Sequence, residues 1–235
     1  MRKLAFFVEG QAEQMFVQAL VEACAEEYNV QIEWRRGNLG RRYKRIFMEM
    51  AAKKIGTGED YFVLIIDSGS DERVVSDIKD RFEYLLRENF SMIVGLRDVR
   101  PISRHEIEKL QAGMESSITS LTGIPIEFYL SIMEVEAWFL AENTHFLRIS
   151  AELTEERIRD GLGFFPDDKN AESREAPSAD LAAIYQIGGV LYDKSRSVVE
   201  RVMNSLDFEQ IIKVHSAEIR NLGGVVSEVS NFFQT

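Results

Sequence analysis

The stretch LAFFVEGQAEQMF, residues 4–16, decides how the rest of the chain is read. It opens with apolar residues that do not alternate with polar ones, the mark of a strand buried on both faces. Glu9 and Gly10 stop that run. Beyond them Ala12, Met15, Phe16, Ala19, Leu20, Ala23 and Cys24 recur at helical spacing. A strand that passes straight into a helix is the opening of an α/β unit. The acid at its tip has three readings: a helix cap, a solvated strand end, or a group held there for chemistry.

The same alternation continues outward. NVQIEW (29–34) reads as a second strand, followed by RRGNLGRRYKR (35–45), a basic loop expected to run into a helix carrying Ile46, Phe47, Met50 and Ala51. YFVLIID (61–67) is the strongest strand in the chain and also ends in an acid. A helix from about Glu72 turns Val74, Val75, Ile78, Phe82, Leu85 and Leu86 inward. SMIVGLRD (91–98) gives another strand, 104–118 a polar helix, and IEFYLSIM (126–133) a last strand running up to Glu134 and Glu136. Strands alternating with helices in this way predict a mostly parallel sheet covered by helices on both faces. Ligands in such folds bind outside the carboxyl ends of the strands. Here three of those ends carry acids: Glu9, Asp67, and Glu134 with Glu136. Beyond about residue 143 the pattern turns helical, with helices expected near 178–188, 195–205 and 216–233. FPDDKNAESREAPSAD (165–180) is expected to be a long mobile loop. The expected organisation is therefore an α/β domain over 1–142 and a helical C-terminal extension over 143–235.

At 235 residues, 45% apolar and 29% charged, the chain can bury a sizeable core. No apolar run approaches the roughly 20 residues of a membrane span. The N-terminal MRKLAFFVEGQ has the basic start and apolar run of a signal peptide, but Glu9 and Glu13 interrupt it, and it reads as a first strand. The single cysteine, Cys24, is expected as a packed small hydrophobe in a reducing cytoplasm. A net charge of −11 repels nucleic acid and anionic membranes, so any phosphate-binding function needs bound cations or a local basic patch.

Carboxylates gathered from several strand ends repel one another unless a cation neutralises them. Hard oxygen donors of this kind suit Mg2+ or Mn2+. His105, His145 and His215 are scattered and read as surface or structural residues. The chain has no GxxxxGK[ST] loop and no GxGxxG after its first strand. DSGSD (67–71) lacks the continuation of a calcium loop. Arg35, Arg36, Arg41, Arg42, Lys44 and Arg45 form one dense basic cluster, suited to gripping a DNA or RNA backbone without reading its sequence.

VEGQAEQMF (8–16) resembles the V-E-G-x-T-E-x-x-F motif of the TOPRIM domains of OLD-type nucleases, with Ala12 where Thr is usual. YFVLIIDSGSD (61–71) is similar to the strand that ends in that family's D-x-D. SIMEVEAWFLAE (131–142) and LYDKSRSVVERVMNSLDFEQI (191–211) resemble segments of a small TOPRIM-like prokaryotic family found near mobile or defence loci. The resemblance implies a TOPRIM-like fold and Mg2+-dependent phosphodiester cleavage, serving prokaryotic defence against phage or plasmids. It also implies Glu9 as metal ligand or general acid–base and Asp67 as metal ligand; if the site is active, Lys194 is a candidate cation to stabilise charge on the phosphate, as in other phosphoryl-transfer sites. Gly69 stands where the second acid of D-x-D belongs, which leaves Asp71, Glu134 or Glu136 to complete the metal set.

Other readings stand beside these. Glu9 can accept from the amides that open the next helix, Asp67 can be turn chemistry, and Glu134 and Glu136 can be first-turn acids. Trp138 and Phe139 are expected in the core. The basic cluster can be a solvated loop. A second function class also fits Gly69: a catalytically degenerate TOPRIM module that binds a partner protein such as an ATPase. Homo-oligomerisation is left open by the sequence.

Overall fold

The structure, a computed structural model, describes residues 1–39, 45–167 and 169–234. Its contacts divide the chain into two compact units, Met1–Arg97 with His105–Leu130 and Ser227–Thr235, and Asp98–Arg104 with Ser131–Val226.

The first unit is built on a six-stranded sheet of order β3-β2-β4-β1-β5-β6. Its strands are β1 (Arg2–Val8), β2 (Val30–Leu39), β3 (Arg45–Ile55), β4 (Tyr61–Asp67), β5 (Met92–Asp98) and β6 (Ile126–Ser131). β1 pairs in parallel with β4 and β5, and β2 in parallel with β4. Ile93 N–H donates to Pro125 and Val99 N–H to Ser131 at the same residue offset, so β5 and β6 are parallel too. Helix α1 (Gln11–Cys24) carries the chain from β1 outward to β2, whereas α2 (Arg73–Arg87) carries it from β4 across β1 to β5. Right-handed crossovers in opposite directions place these helices on opposite faces. Leu4 to Val8 are all fully buried as a result, which explains the unbroken apolar run that opens the sequence. Gly95 on β5 has a packing reason: a Cβ there would lie 2.5 Å from the Phe128 ring. The architecture is the expected α/β one and is consistent with a TOPRIM-like layout.

One element corrects the sequence reading. The helix expected through Ile46, Phe47, Met50 and Ala51 is the antiparallel strand β3, paired with β2 along its whole length. Its apolar residues satisfy both periods, since 46, 48 and 50 alternate while 46, 47, 50 and 51 fit a helix face. The partner decides, because β3 satisfies backbone groups that β2 would otherwise leave open at the sheet edge. The basic segment is accordingly a β-hairpin for Arg35, Arg36 and Arg45; Arg41, Arg42 and Lys44 lie outside the described residues.

After β5 the chain forms α3 (Ile107–Ser116), entered through a short 3-10 turn over Arg104–Glu106. The second unit contains α4 (Glu136–Ala141), α5 (His145–Ile149), α6 (Glu155–Leu162), α7 (Pro177–Ile187) and α8 (Arg196–Ser205). It continues through α9 (Phe208–Gln210), a π-helical turn over Ile211–His215, and α10 (Ser216–Glu218) into α11 (Arg220–Gln234), whose last residues belong to the first unit. Ala137 to Ala141 are fully buried, so α4 is a core helix apolar all round, and Trp138 and Phe139 are core residues as expected. The segment expected as a long loop is shorter than the sequence suggested. It contains a turn at Ala171–Ser173, and α7 begins at Pro177. Arg174 ties it to Asp180 at 2.6 Å, and Arg104 ties it to Glu175 at 2.7 Å.

Candidate functional site

Acids do stand at the carboxyl ends of the parallel strands, and each unit holds its own group of them. In the first unit Val8 pairs with Asp67, and the Ser68 amide continues the ladder by donating to Val8 O at 2.9 Å. The register thus carries Glu9 to the side of the Asp67–Ser68 tip. Glu13 accepts from the Gly10 amide at 3.0 Å, so the entry to α1 has a carboxylate cap other than Glu9. Asp67 is only 4% exposed. Burial raises its pKa, and the Arg36 guanidinium and the Gly69 amide offset that only in part. Arg36 Nε lies 3.4 Å from Oδ2, and the Gly69 amide donates to Oδ1 at 2.8 Å. Gly69 has φ +79°, a left-handed turn position that glycine occupies without strain. Asp71, the expected substitute, is held by Arg97 at 2.8 Å. The Ser68 hydroxyl is buried and has no hydrogen-bond partner among the described residues.

The basic residues beside this tip are drawn to acids of the chain. Arg35 pairs closely with Glu33, Arg36 faces Asp67, and Arg45 clasps the fully buried Asp77 through Nε at 2.9 Å and Nη2 at 2.7 Å. Arg45 also donates to the Ser68 carbonyl.

In the second unit Glu134, Glu136 and Lys194 come together, with the lysine, expected from the sequence as a cation for the substrate phosphate, paired to both glutamates. Lys194 Nζ lies 2.9 Å from Glu136 Oε1 and 3.4 Å from Glu134 Oε1. Burial alone would lower the lysine's pKa, but Glu136, Glu134 and Asp98 together raise it. Glu134 also accepts from the Ser178 amide at 3.0 Å and the Ser178 hydroxyl at 2.8 Å, and Arg100 stands 3.5 Å away. These partners overcome the effect of burial and lower its pKa. Glu136, fully buried, accepts from Tyr192 at 2.7 Å, while its Oε2 has no hydrogen-bond partner among the described residues. Met133 and Lys194 both sit at left-handed φ, +68° and +57°, which costs non-glycine residues about 1 kcal/mol or more each.

Sequence reasoning missed Asp98, although it ends its strand as Asp67 does. Its Oδ1 accepts from the Ser131 hydroxyl and, at 3.0 Å, from the Val135 amide, locking the turn that leads to Glu134. Ser68, Asp77, Arg97 and Ser178 gave no local signal at all. Among the described residues no three His, Cys, Asp or Glu side chains converge to hold a metal ion, and no helix is long and apolar enough to cross a membrane.

A family model described as Domain of unknown function (DUF4276) matches residues 8–215. The chain belongs to that family. No curated protein and no solved structure matches it. The DUF4276 match begins at the tip of β1 and runs past Lys194, so both acid groups lie inside the family's span.

Proposed function

We propose that this DUF4276 protein is a Mg2+-dependent hydrolase of nucleic-acid phosphodiesters. The observation that carries the reading is the pair of acids at the ends of two hydrogen-bonded parallel strands, Glu9 after β1 and the buried Asp67 of β4, beside the unpartnered Ser68 hydroxyl. Two carboxylates and a hydroxyl are hard oxygen donors. So small a protein set suits Mg2+ or Mn2+, which keep waters and share substrate phosphates. Glu9 and Asp67 would hold the ion, with Ser68 in support. Bound there, it would polarise the scissile phosphate and make a water nucleophilic at neutral pH. Glu9, half-buried at the strand tip, would take the proton of the attacking water. Arg36 neutralises Asp67 in the free chain, and its side chain is 52% exposed, so it is free to turn toward a phosphate oxygen. The motif resemblance extends the proposal to prokaryotic defence against phage or plasmids.

Calorimetric titration of Mg2+ and Mn2+ tests this reading on wild type, Glu9→Gln and Asp67→Asn, with cleavage of labelled DNA and RNA run in parallel. Saturable uptake by wild type that both variants lose is the expected result. A folded wild type that takes up no metal at millimolar concentration refutes it. The second reading, a degenerate module that binds a partner protein such as an ATPase, is favoured by one contact: Arg97 holds the Asp71 carboxylate that would have stood in for the missing ligand.

A further inference from the structure

The charge balance around α2 leaves one cation over. Three guanidinium groups meet where β2, β3 and α2 pack in the first unit. Arg35 has Glu33 and Arg45 has Asp77. Arg81 has no ion pair or hydrogen bond with any described residue, and its Nε is a buried donor without an acceptor. It lies over two aromatic rings, 4.1 Å from the Tyr84 centroid and 4.9 Å from that of Phe47. Burial and then the neighbouring Arg35 charge both pull its pKa down. A chain with 39 acids and 28 lysines and arginines has thus placed an arginine beside another arginine with no acid of its own. That arrangement costs stability until an anion arrives.

We propose that Arg81, shelved on Phe47 and Tyr84 and backed by Arg35, is a receptor for a backbone phosphate of single-stranded nucleic acid. The planar guanidinium fork matches a phosphate, and stacking on aromatic rings fixes its plane in advance. The shelf is continuous with the Asp67–Ser68 tip, because Arg45 donates to the Ser68 carbonyl and lies 5.7 Å from the centroid of the same Phe47 ring. Nucleic acid rather than free phosphate is assigned because a basic strip with aromatic side chains is how single strands are held. That choice of ligand rests on the hydrolase reading; the unmatched charge of Arg81 does not.

The test is fluorescence anisotropy of a labelled oligothymidylate in EDTA, over a range of salt, on wild type, Arg81→Gln and Arg81→Lys, with Mg2+ calorimetry of the same proteins beside it. Arg81→Gln is expected to weaken binding about tenfold and to lower the salt slope by about one counterion. Arg81→Lys should restore the slope but not the affinity, because an ammonium cannot present the fork. Wild-type affinity in Arg81→Gln overturns the proposal, as does displacement of the oligonucleotide by equimolar inorganic phosphate. Loss of metal uptake with Arg81-dependent binding intact would sink the hydrolase alone.

Discussion

Replacing Lys194 by Met removes the cation shared by Glu134 and Glu136 and leaves a fully buried carboxylate with only the Tyr192 hydroxyl on Oε1. An ammonium 2.9 Å from a carboxylate is worth about 6 kcal/mol at an effective dielectric constant of about 20. The lysine side chain is 44% exposed, and solvent there cuts that figure by roughly half. The expected cost is therefore about 3 kcal/mol, in line with the loss of one partner from a buried pair. Urea unfolding of Lys194→Met, Glu136→Gln and the double variant measures it as a coupling energy. The double variant should recover about 2 kcal/mol of the summed single losses, since the stranded charge is gone. Lys194→Gly adds a control for the backbone. At φ +57° glycine is unstrained, so this variant should be about 1 kcal/mol more stable than Lys194→Met. A Lys194→Met loss under 1 kcal/mol with no coupling to Glu136 would refute the claim that this lysine is an internal counter-ion.

Two further outcomes follow from other buried groups. His145 is fully buried, donates from Nδ1 to the Glu142 carbonyl and accepts from Tyr185 at Nε2, 2.9 Å away; burial pushes its pKa down to about 4. The unfolded chain takes up that proton first, so stability should fall by about 3 kcal/mol as pH drops from about 6.5 to about 4. His145→Gln should lack that part of the slope, and equal pH profiles for the two proteins would disprove it. Arg45→Met should cost about 3 kcal/mol in urea unfolding because it strands the buried Asp77. Arg45→Met with Asp77→Leu should regain most of that loss, and an unchanged midpoint in the double variant relative to Arg45→Met would count against it.

The sequence makes strands legible where burial is complete and helices legible where one face is apolar. β1 and β4 are unbroken apolar runs because both faces are covered, and α1 and α2 show their buried stripes. β3 was not legible, because its exposed residues carry two periods at once and only the pairing with β2 chooses between them. Strand-end acids are visible as the last letter of an apolar run, and Asp98 is as visible as Asp67. Their counter-ions are not. Arg36 reaches Asp67 through a strand register, Arg97 reaches Asp71 from another strand, and Ser178 reaches Glu134 from a distant helix. Nor is the left-handed φ at Gly69 visible in the letters, beyond glycine's ease in adopting it.

What separates the two acid groups is how the chain itself neutralises them. Glu134 and Glu136 have a lysine held by a left-handed backbone, with hydroxyl and amide donors filling most of the remaining oxygens. A cation fixed in that way at a cost in backbone strain belongs to the protein and does not exchange. Asp67 has a buried carboxylate with a raised pKa, one backbone donor, and a half-exposed arginine 3.4 Å away that is free to leave. An acid that the fold buries but only loosely compensates is where an exchangeable cation gains most, since the ion recovers the desolvation cost that Arg36 leaves unmet. On that ground we propose Asp67 and Glu9, and not Glu134 and Glu136, as the metal ligands, with Lys194 the internal counter-ion of its own unit.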